Sequence, residues 1–228
     1  MNHRLRPLLA LLAVTATATA SADIITRYEF LSGTGPSTVA SGIAATAFEP
    51  GASIVSGSLS GDGQPAPSWQ GTHWTTSSDP SDALLSDSYV WFRITPDIGK
   101  AMTLTGIQLD VRPHGSGPDS FVVSVVEVST GLGSQLGAPL LHSDQRTIAD
   151  GFKAWETLSA TSNAFQSLTG TYEIRIYGYD AKQVEREVLF DNVTIVGTVF
   201  AVPEPSTTLL LALSGGWLWW RRRPLARP

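Results

Sequence analysis

Aromatic side chains offer the chain its clearest route to chemistry. Trp69, Trp74, Trp91 and Trp155 lie in its body, and Tyr177 and Tyr179 stand two residues apart. Aromatic faces stack on the apolar faces of sugar rings. Trp69 and Trp74 fall in a loop-like stretch, Pro65–Asp79, while Tyr177 and Tyr179 share the outer face of one strand pattern. These four are the candidate glycan-binding residues. The competing role is a core or sheet-covering aromatic, since such rings supply much buried area.

Catalytic chemistry has far less to stand on. His73, His114 and His142 are widely separated and each adjoins turn signals. No H-E-x-x-H, G-x-S-x-G or G-x-x-x-x-G-K spacing occurs. A glycoside hydrolase needs only two carboxylates at a set separation. However, Asp62, Asp79, Asp82, Asp119 and Asp150 sit in turn-like stretches and read as turn formers. With no cysteine, thiol catalysis, iron–sulfur clusters, Cys-ligated zinc and disulfide scaffolds are excluded. The reading is a non-enzymatic protein without a catalytic residue.

The net charge of −5 hides an uneven distribution. Residues 23–202 hold 9 basic and 19 acidic side chains, a net −10, and the two ends are positive. An acidic body argues against nucleic acid as a partner. By the same charge, a direct grip on an acidic polysaccharide is disfavoured unless cations bridge it.

Both ends read as addresses. Arg4 and Arg6 precede an apolar run, Leu8–Val14, and small residues lead to Ala20-Ser21-Ala22. That is a secretory signal peptide over residues 1–22, with cleavage between Ala22 and Asp23 and the Sec translocon and signal peptidase as partners. At the other end, Pro203-Glu204-Pro205 leads into an apolar segment, Thr207–Trp220, and then Arg221-Arg222-Arg223. The prolines stop any preceding strand. A helix over 207–220 would be about 21 Å long, short for a hydrocarbon core of about 30 Å. Trp217, Trp219 and Trp220 would sit at the interface, with the arginines on the cytoplasmic side and the body outside.

This tripartite tail resembles the PEP-CTERM sorting signal of Gram-negative bacteria that make exopolysaccharide. Pro203, Glu204 and Pro205 match its motif, and Arg221, Arg222 and Arg223 its basic stop. The apolar run is short and contains Gly215-Gly216, a mild departure. The resemblance implies recognition by an exosortase after transient inner-membrane anchoring. The protein would then reach the cell surface or extracellular matrix, in association with exopolysaccharide or biofilm. An ordinary single-pass tail anchor would need the same topology.

Between the tags, residues 23–198 are expected to be all-β. Tyr89, Trp91 and Arg93 alternate with Val90, Phe92 and Ile94, and Tyr172, Ile174 and Ile176 alternate with Glu173, Arg175 and Tyr177. Phe121–Val128 is apolar on nearly both faces and should be covered. The pattern slips at Gly106 and again at Asp191-Asn192, which predicts two bulges. The candidate strands Ile24–Phe30 and Glu187–Val196 could pair. Around ten short strands with dense turn signals predict a two-sheet antiparallel β-sandwich.

The body also resembles a jelly-roll module common in PEP-CTERM proteins. The residues that carry this are Trp91-Phe92-Arg93, Asp110-Val111-Arg112, Gly117–Phe121, Arg175–Gly178 and Phe190–Thr194. In jelly-roll carbohydrate-binding modules, the Asp-Asn-Val ending often joins an acid of the first strand around a structural calcium. Asp191 and Glu29 are the residues this implies; alternatively, Asp191 and Asn192 bond their own backbone at a turn. Two functions are therefore expected. One is a non-enzymatic surface or matrix protein sorted by an exosortase; the other is a carbohydrate-binding module with an aromatic platform and structural calcium.

Overall fold

The computed structural model describes residues 23–56, 59, 67–141, 143 and 151–202. The expected signal peptide with Ala20 and Ala22, the Pro203-Glu204-Pro205 motif, the segment 207–220 and Arg221–Arg223 lie outside these residues. No helix among the described residues is long and apolar enough to cross a membrane.

The strands are β1 (Asp23–Tyr28), β2 (Thr38–Val39), β3 (Ile43–Ala45), β4 (Glu49–Pro50), β5 (Val55–Ser56) and β6 (Trp69–Thr72). A short helix, α1 (Pro80–Leu85), precedes β7 (Tyr89–Pro96), β8 (Lys100–Pro113), β9 (Ser120–Glu127) and β10 (Gly133–Gln135). The series closes with β11 (Leu140–Leu141), β12 (Glu156–Leu168), β13 (Tyr172–Tyr179) and β14 (Val188–Ala201). Sheet A runs β12-β8-β14-β1-β2, with β6 on β14 and β5 on β6. Sheet B runs β10-β9-β13-β7-β3, with β11 on β9 and β4 on β7. Neighbouring strands pair antiparallel throughout. From β7 to β9 and again from β11 to β14, successive strands alternate between the sheets, which wraps the chain around one core in jelly-roll fashion.

Sequence patterning explains the two layers. Every second residue of β7 is buried, so Val90, Phe92 and Ile94 enter the core with Ile174 and Ile176 of β13. Seven of the eight residues of β9 are buried, as its two-sided apolar sequence predicts. β14 is the spine of sheet A. It pairs along β8 on one side; on the other it pairs first with β6 and then with β1. The first strand is thus held against the last, and it enters at Asp23 opposite Gly197, close to where β14 ends. β14 runs to Ala201, three residues past the expected boundary at 198.

Both predicted bulges are present. At Gly106 the β8–β14 register jumps, leaving Thr105 extra, and its Oγ1 donates to the Val196 carbonyl at 3.2 Å. Backbones approach closely at this jump. A Cβ on Gly106 would lie 2.7 Å from the Ala160 carbonyl oxygen, and one on Gly197 would collide with that of Thr103. At the second slip the extra residue lies on β14, where Asn192 takes φ +49°.

Two elements depart from the sequence reading. The stretch expected to be a loop contains β6, whose Trp69 turns inward. Asp79-Pro80, read as a turn, instead starts α1: the Asp79 carboxylate accepts from Ser81 N at 2.8 Å and caps it. Six residues are too few to show a helical period in sequence.

Candidate functional site

The four aromatics proposed as a platform are all buried. Trp69 and Trp74 are 2% and 1% exposed, and Trp74 Nε1 donates to the Gly71 carbonyl at 2.9 Å. Their rings pack on Phe190 at 6.0 and 5.8 Å, inside an aromatic core with Phe48 and Phe121. Tyr177 and Tyr179 do point outward from sheet B, but Ala83 of α1 packs against them, with Val122 of β9 beside Tyr177. Burial is the leading influence on the Tyr177 hydroxyl and raises its pKa, against a lowering hydrogen bond from Arg175. The platform is thus corrected at these positions. Strand parity gave the direction of each side chain but not the cover over it.

The implied calcium ligands are also committed elsewhere. Glu29 Oε1 lies 3.2 Å from Arg27 Nε, an ion pair without hydrogen-bond alignment. Asp191 is fully buried, and its Oδ1 accepts from the Asn192 backbone N–H at 2.8 Å. Among the described residues no three acidic or His side chains gather as a metal group, whereas calcium takes six to eight oxygen ligands. Among the described residues, then, Glu29 and Asp191 are not part of a group of three acidic or His side chains. With Glu29 paired to Arg27 and Asp191 bonded to its own backbone, chelation with EDTA is expected to leave the thermal melting midpoint unchanged, and a clear drop would support the calcium reading.

What the fold assembles instead is a polar strip across the outer face of sheet A. The register places Arg27 of β1, Thr194 of β14, Gln108 of β8 and Ser159 of β12 in a single row. Asp110 and Thr157 pair in the row beside it, and Asn192, the extra residue of the bulge, reaches that row through its side chain. The two rows are tied together. Arg27 Nη2 donates to Asn192 Oδ1 at 3.0 Å, Asn192 Nδ2 donates to Asp110 Oδ2 at 2.7 Å, and Thr157 Oγ1 donates to Asp110 Oδ1. The bulge makes this possible: the positive φ of Asn192 turns its amide to lie between Arg27 and Asp110.

A hollow of about 290 Å³ lies over these rows, and a second of about 520 Å³ adjoins it, sharing Gln108 and Val196. Gly106, with no side chain, lies in the floor of the second. Beyond Asp110 the strand β8 meets cover: Arg112 Nε donates to the Lys153 carbonyl and its guanidinium stacks over Phe152 at 5.2 Å. Lys153, buried, pairs with Asp119. The two adjoining hollows form a trough, its first part floored by hydroxyl, amide and carboxylate groups and its second more apolar, with Ile107, Ala160 and Val196 beside Gln108, Ser159 and Asn163. Its side chains can donate and accept hydrogen bonds at once. None of them was read from sequence as a binding residue: Asp110, Asn192 and Thr194 stood only in the segments that carry the jelly-roll resemblance, although the inward parity of Ile107, Leu109 and Val111 already left Gln108 and Asp110 facing out.

No family model matches this chain, and no curated protein matches it. Solved structures give fold-level similarities. A family 29 carbohydrate-binding module aligns with TM-score 0.41 and 8% identity, over 78% of this chain and 90% of that one. A family 29 module complexed with cellulohexaose aligns with TM-score 0.40 and 9% identity, over 77% and 90%. The carbohydrate-binding module TmCBM27, described for specific mannan recognition, aligns with TM-score 0.39 and 8% identity, over 78% and 99%. At these identities and TM-scores the alignments assign this chain neither a family nor a role.

Proposed function

We propose that this chain is an exported, non-enzymatic carbohydrate-binding sandwich that takes a neutral glycan in the trough on sheet A. The observation that carries this reading is the in-register row Arg27–Thr194–Gln108–Ser159, tied through Arg27 to Asn192, Asp110 and Thr157, under two adjoining hollows. Vicinal sugar hydroxyls each donate and accept, and fixed amide, hydroxyl and carboxylate groups are their natural partners. Pre-tied side chains lose little freedom when a ligand arrives. The floor holds no large ring, so recognition is by hydrogen bonds. The excess of acid over base in the body favours uncharged sugars here.

Titration calorimetry of the full-length chain in mild detergent against neutral oligosaccharides tests this. Cellohexaose and manno-oligosaccharides, the ligand classes named for the similar modules, are suitable first probes alongside the producing cell's own polysaccharide. Saturable binding that is lost in Asp110→Ala supports the trough. Absence of saturable binding to all of them overturns it.

The export route belongs to the same proposal. The basic and apolar ends direct secretion and exosortase sorting, and the body works at the cell surface or in the exopolysaccharide matrix. Mass spectrometry of the secreted protein should find a chain that begins at Asp23 and lacks Trp217–Arg223. A mature form that retains those residues contradicts sorting by cleavage.

A further inference from the structure

The outer face of sheet B has a different chemistry from the trough. Cross-strand register puts Glu49, Trp91, Arg175 and Ser124 in one row, with Arg93 and Glu173 in the next. Glu173 is only 5% exposed and is held from two sides. Its Oε2 accepts from Arg93 Nε at 3.1 Å and lies 3.0 Å from Arg93 Nη2; its Oε1 accepts from Arg175 Nε at 2.6 Å. Each guanidinium also lies over a ring, Arg93 over Trp91 at 4.8 Å and Arg175 over Tyr89 at 4.6 Å. Trp91 is itself anchored, with Nε1 donating to the Pro50 carbonyl at 3.2 Å.

One carboxylate needs one cation for neutrality, and this one has two. A guanidinium has five N–H donors; Glu173 accepts one hydrogen bond from Arg93, whose Nη2 also lies within ion-pair distance, and one from Arg175. Both arginines therefore keep N–H groups beyond these bonds, on planes fixed by the aromatic pedestals beneath them. A fixed guanidinium fork is the side-chain geometry best matched to a carboxylate. Glu49 faces out beside Trp91 and offsets part of the positive charge from the margin. The −10 of the body does not decide the matter at this spot, since salt at about 0.15 M screens charges beyond about 8 Å.

We propose that the Arg93–Glu173–Arg175 cluster is a second binding surface, which takes carboxylate-bearing polysaccharide of the polyuronate class. The sequence-level expectation that acidic sugars need bridging cations is thereby reversed at one face. The further consequence rests on the trough reading: with a neutral glycan on sheet A and a polyuronate on sheet B, one copy bridges two chains of a matrix. The second surface itself stands without the first.

The test uses the full-length chain in mild detergent with EDTA present, so that calcium cannot bridge, and oligogalacturonate as the probe. Binding is expected to be saturable and to weaken as salt rises. Replacing both arginines by lysine keeps the charge and the pairing of Glu173 but loses the fork, and should weaken binding about tenfold. Glu49→Gln is an exposed change that leaves the fold intact, and it should tighten binding about two- to threefold. Asn192→Gly, in the trough, should leave oligogalacturonate binding unchanged. Failure of oligogalacturonate to bind overturns the proposal, as does binding that is indifferent to both the lysine and Glu49 variants. Loss of binding in Asn192→Gly also overturns it, by moving the acidic ligand to the trough. Failure of neutral sugars to bind bears only on the trough.

Discussion

Phe190→Ala is expected to destabilise the sandwich by about 3–5 kcal/mol, the range for emptying a buried phenylalanine site. Phe190 is fully buried on β14, the strand that joins β8, β6 and β1. Its ring lies 5.8–6.2 Å from the rings of Phe48, Trp69, Trp74 and Phe121, so its removal leaves a cavity among large, inflexible groups. Such groups collapse poorly into the space. Urea denaturation followed by tryptophan fluorescence measures the effect, because Trp69 and Trp74 report on this region directly. A loss below about 1 kcal/mol would mean that the aromatic cluster is not the stabilising core described here. It would also reopen a surface role for the two tryptophans.

Asn192→Gly should separate binding from folding. Asn192 sits at φ +49°, a conformation that glycine adopts without strain. The bulge should therefore survive, and stability should fall by about 3 kcal/mol, the low end for two part-buried hydrogen bonds to charged groups. The trough, however, loses the group that joins Arg27 to Asp110. Affinity for a neutral oligosaccharide should fall about tenfold, equivalent to about 1.4 kcal/mol. Melting temperature and calorimetric affinity measured on one preparation give both numbers. Unchanged affinity with a normal fold would remove the strip from the binding account. An Asn192→Ala variant should be the less stable of the two, since alanine is strained at positive φ.

The architecture was legible where one strand carries its own evidence. Alternation identified β7 and β13, two-sided apolarity identified β9, and parity slips located the bulges at Gly106 and Asp191-Asn192. A slip is readable because the side-chain period is two, so a single extra residue flips every later side chain. The two faces proposed as binding surfaces were less legible, because they depend on which strands become neighbours. Arg27 and Asn192 are 165 positions apart and Asn192 and Asp110 are 82 apart, and only the β1–β14–β8 pairing brings them together. Nothing in either local sequence marks the other.

Tyr177 and Tyr179 show the same limit from the other side. Their outward direction followed from alternation, whereas their cover comes from α1, a six-residue helix started by an Asp-Pro pair that reads as a turn. Trp69 was misplaced because its strand is four residues long and follows a glycine- and proline-rich stretch. On sheet B, the alternation put Arg93 and Arg175 outward, but not on either side of one buried carboxylate.

The most direct measurement of the central claim is a backbone and side-chain amide NMR titration of the full-length protein with a neutral oligosaccharide that binds it. Saturable shifts should concentrate on Arg27, Gln108, Asp110, Thr157, Asn192 and Thr194, with the Trp91 indole and the Arg93 and Arg175 guanidinium signals unmoved. Shifts centred on the sheet B face, or scattered with no focus on sheet A, would contradict the assignment of the trough as the glycan site.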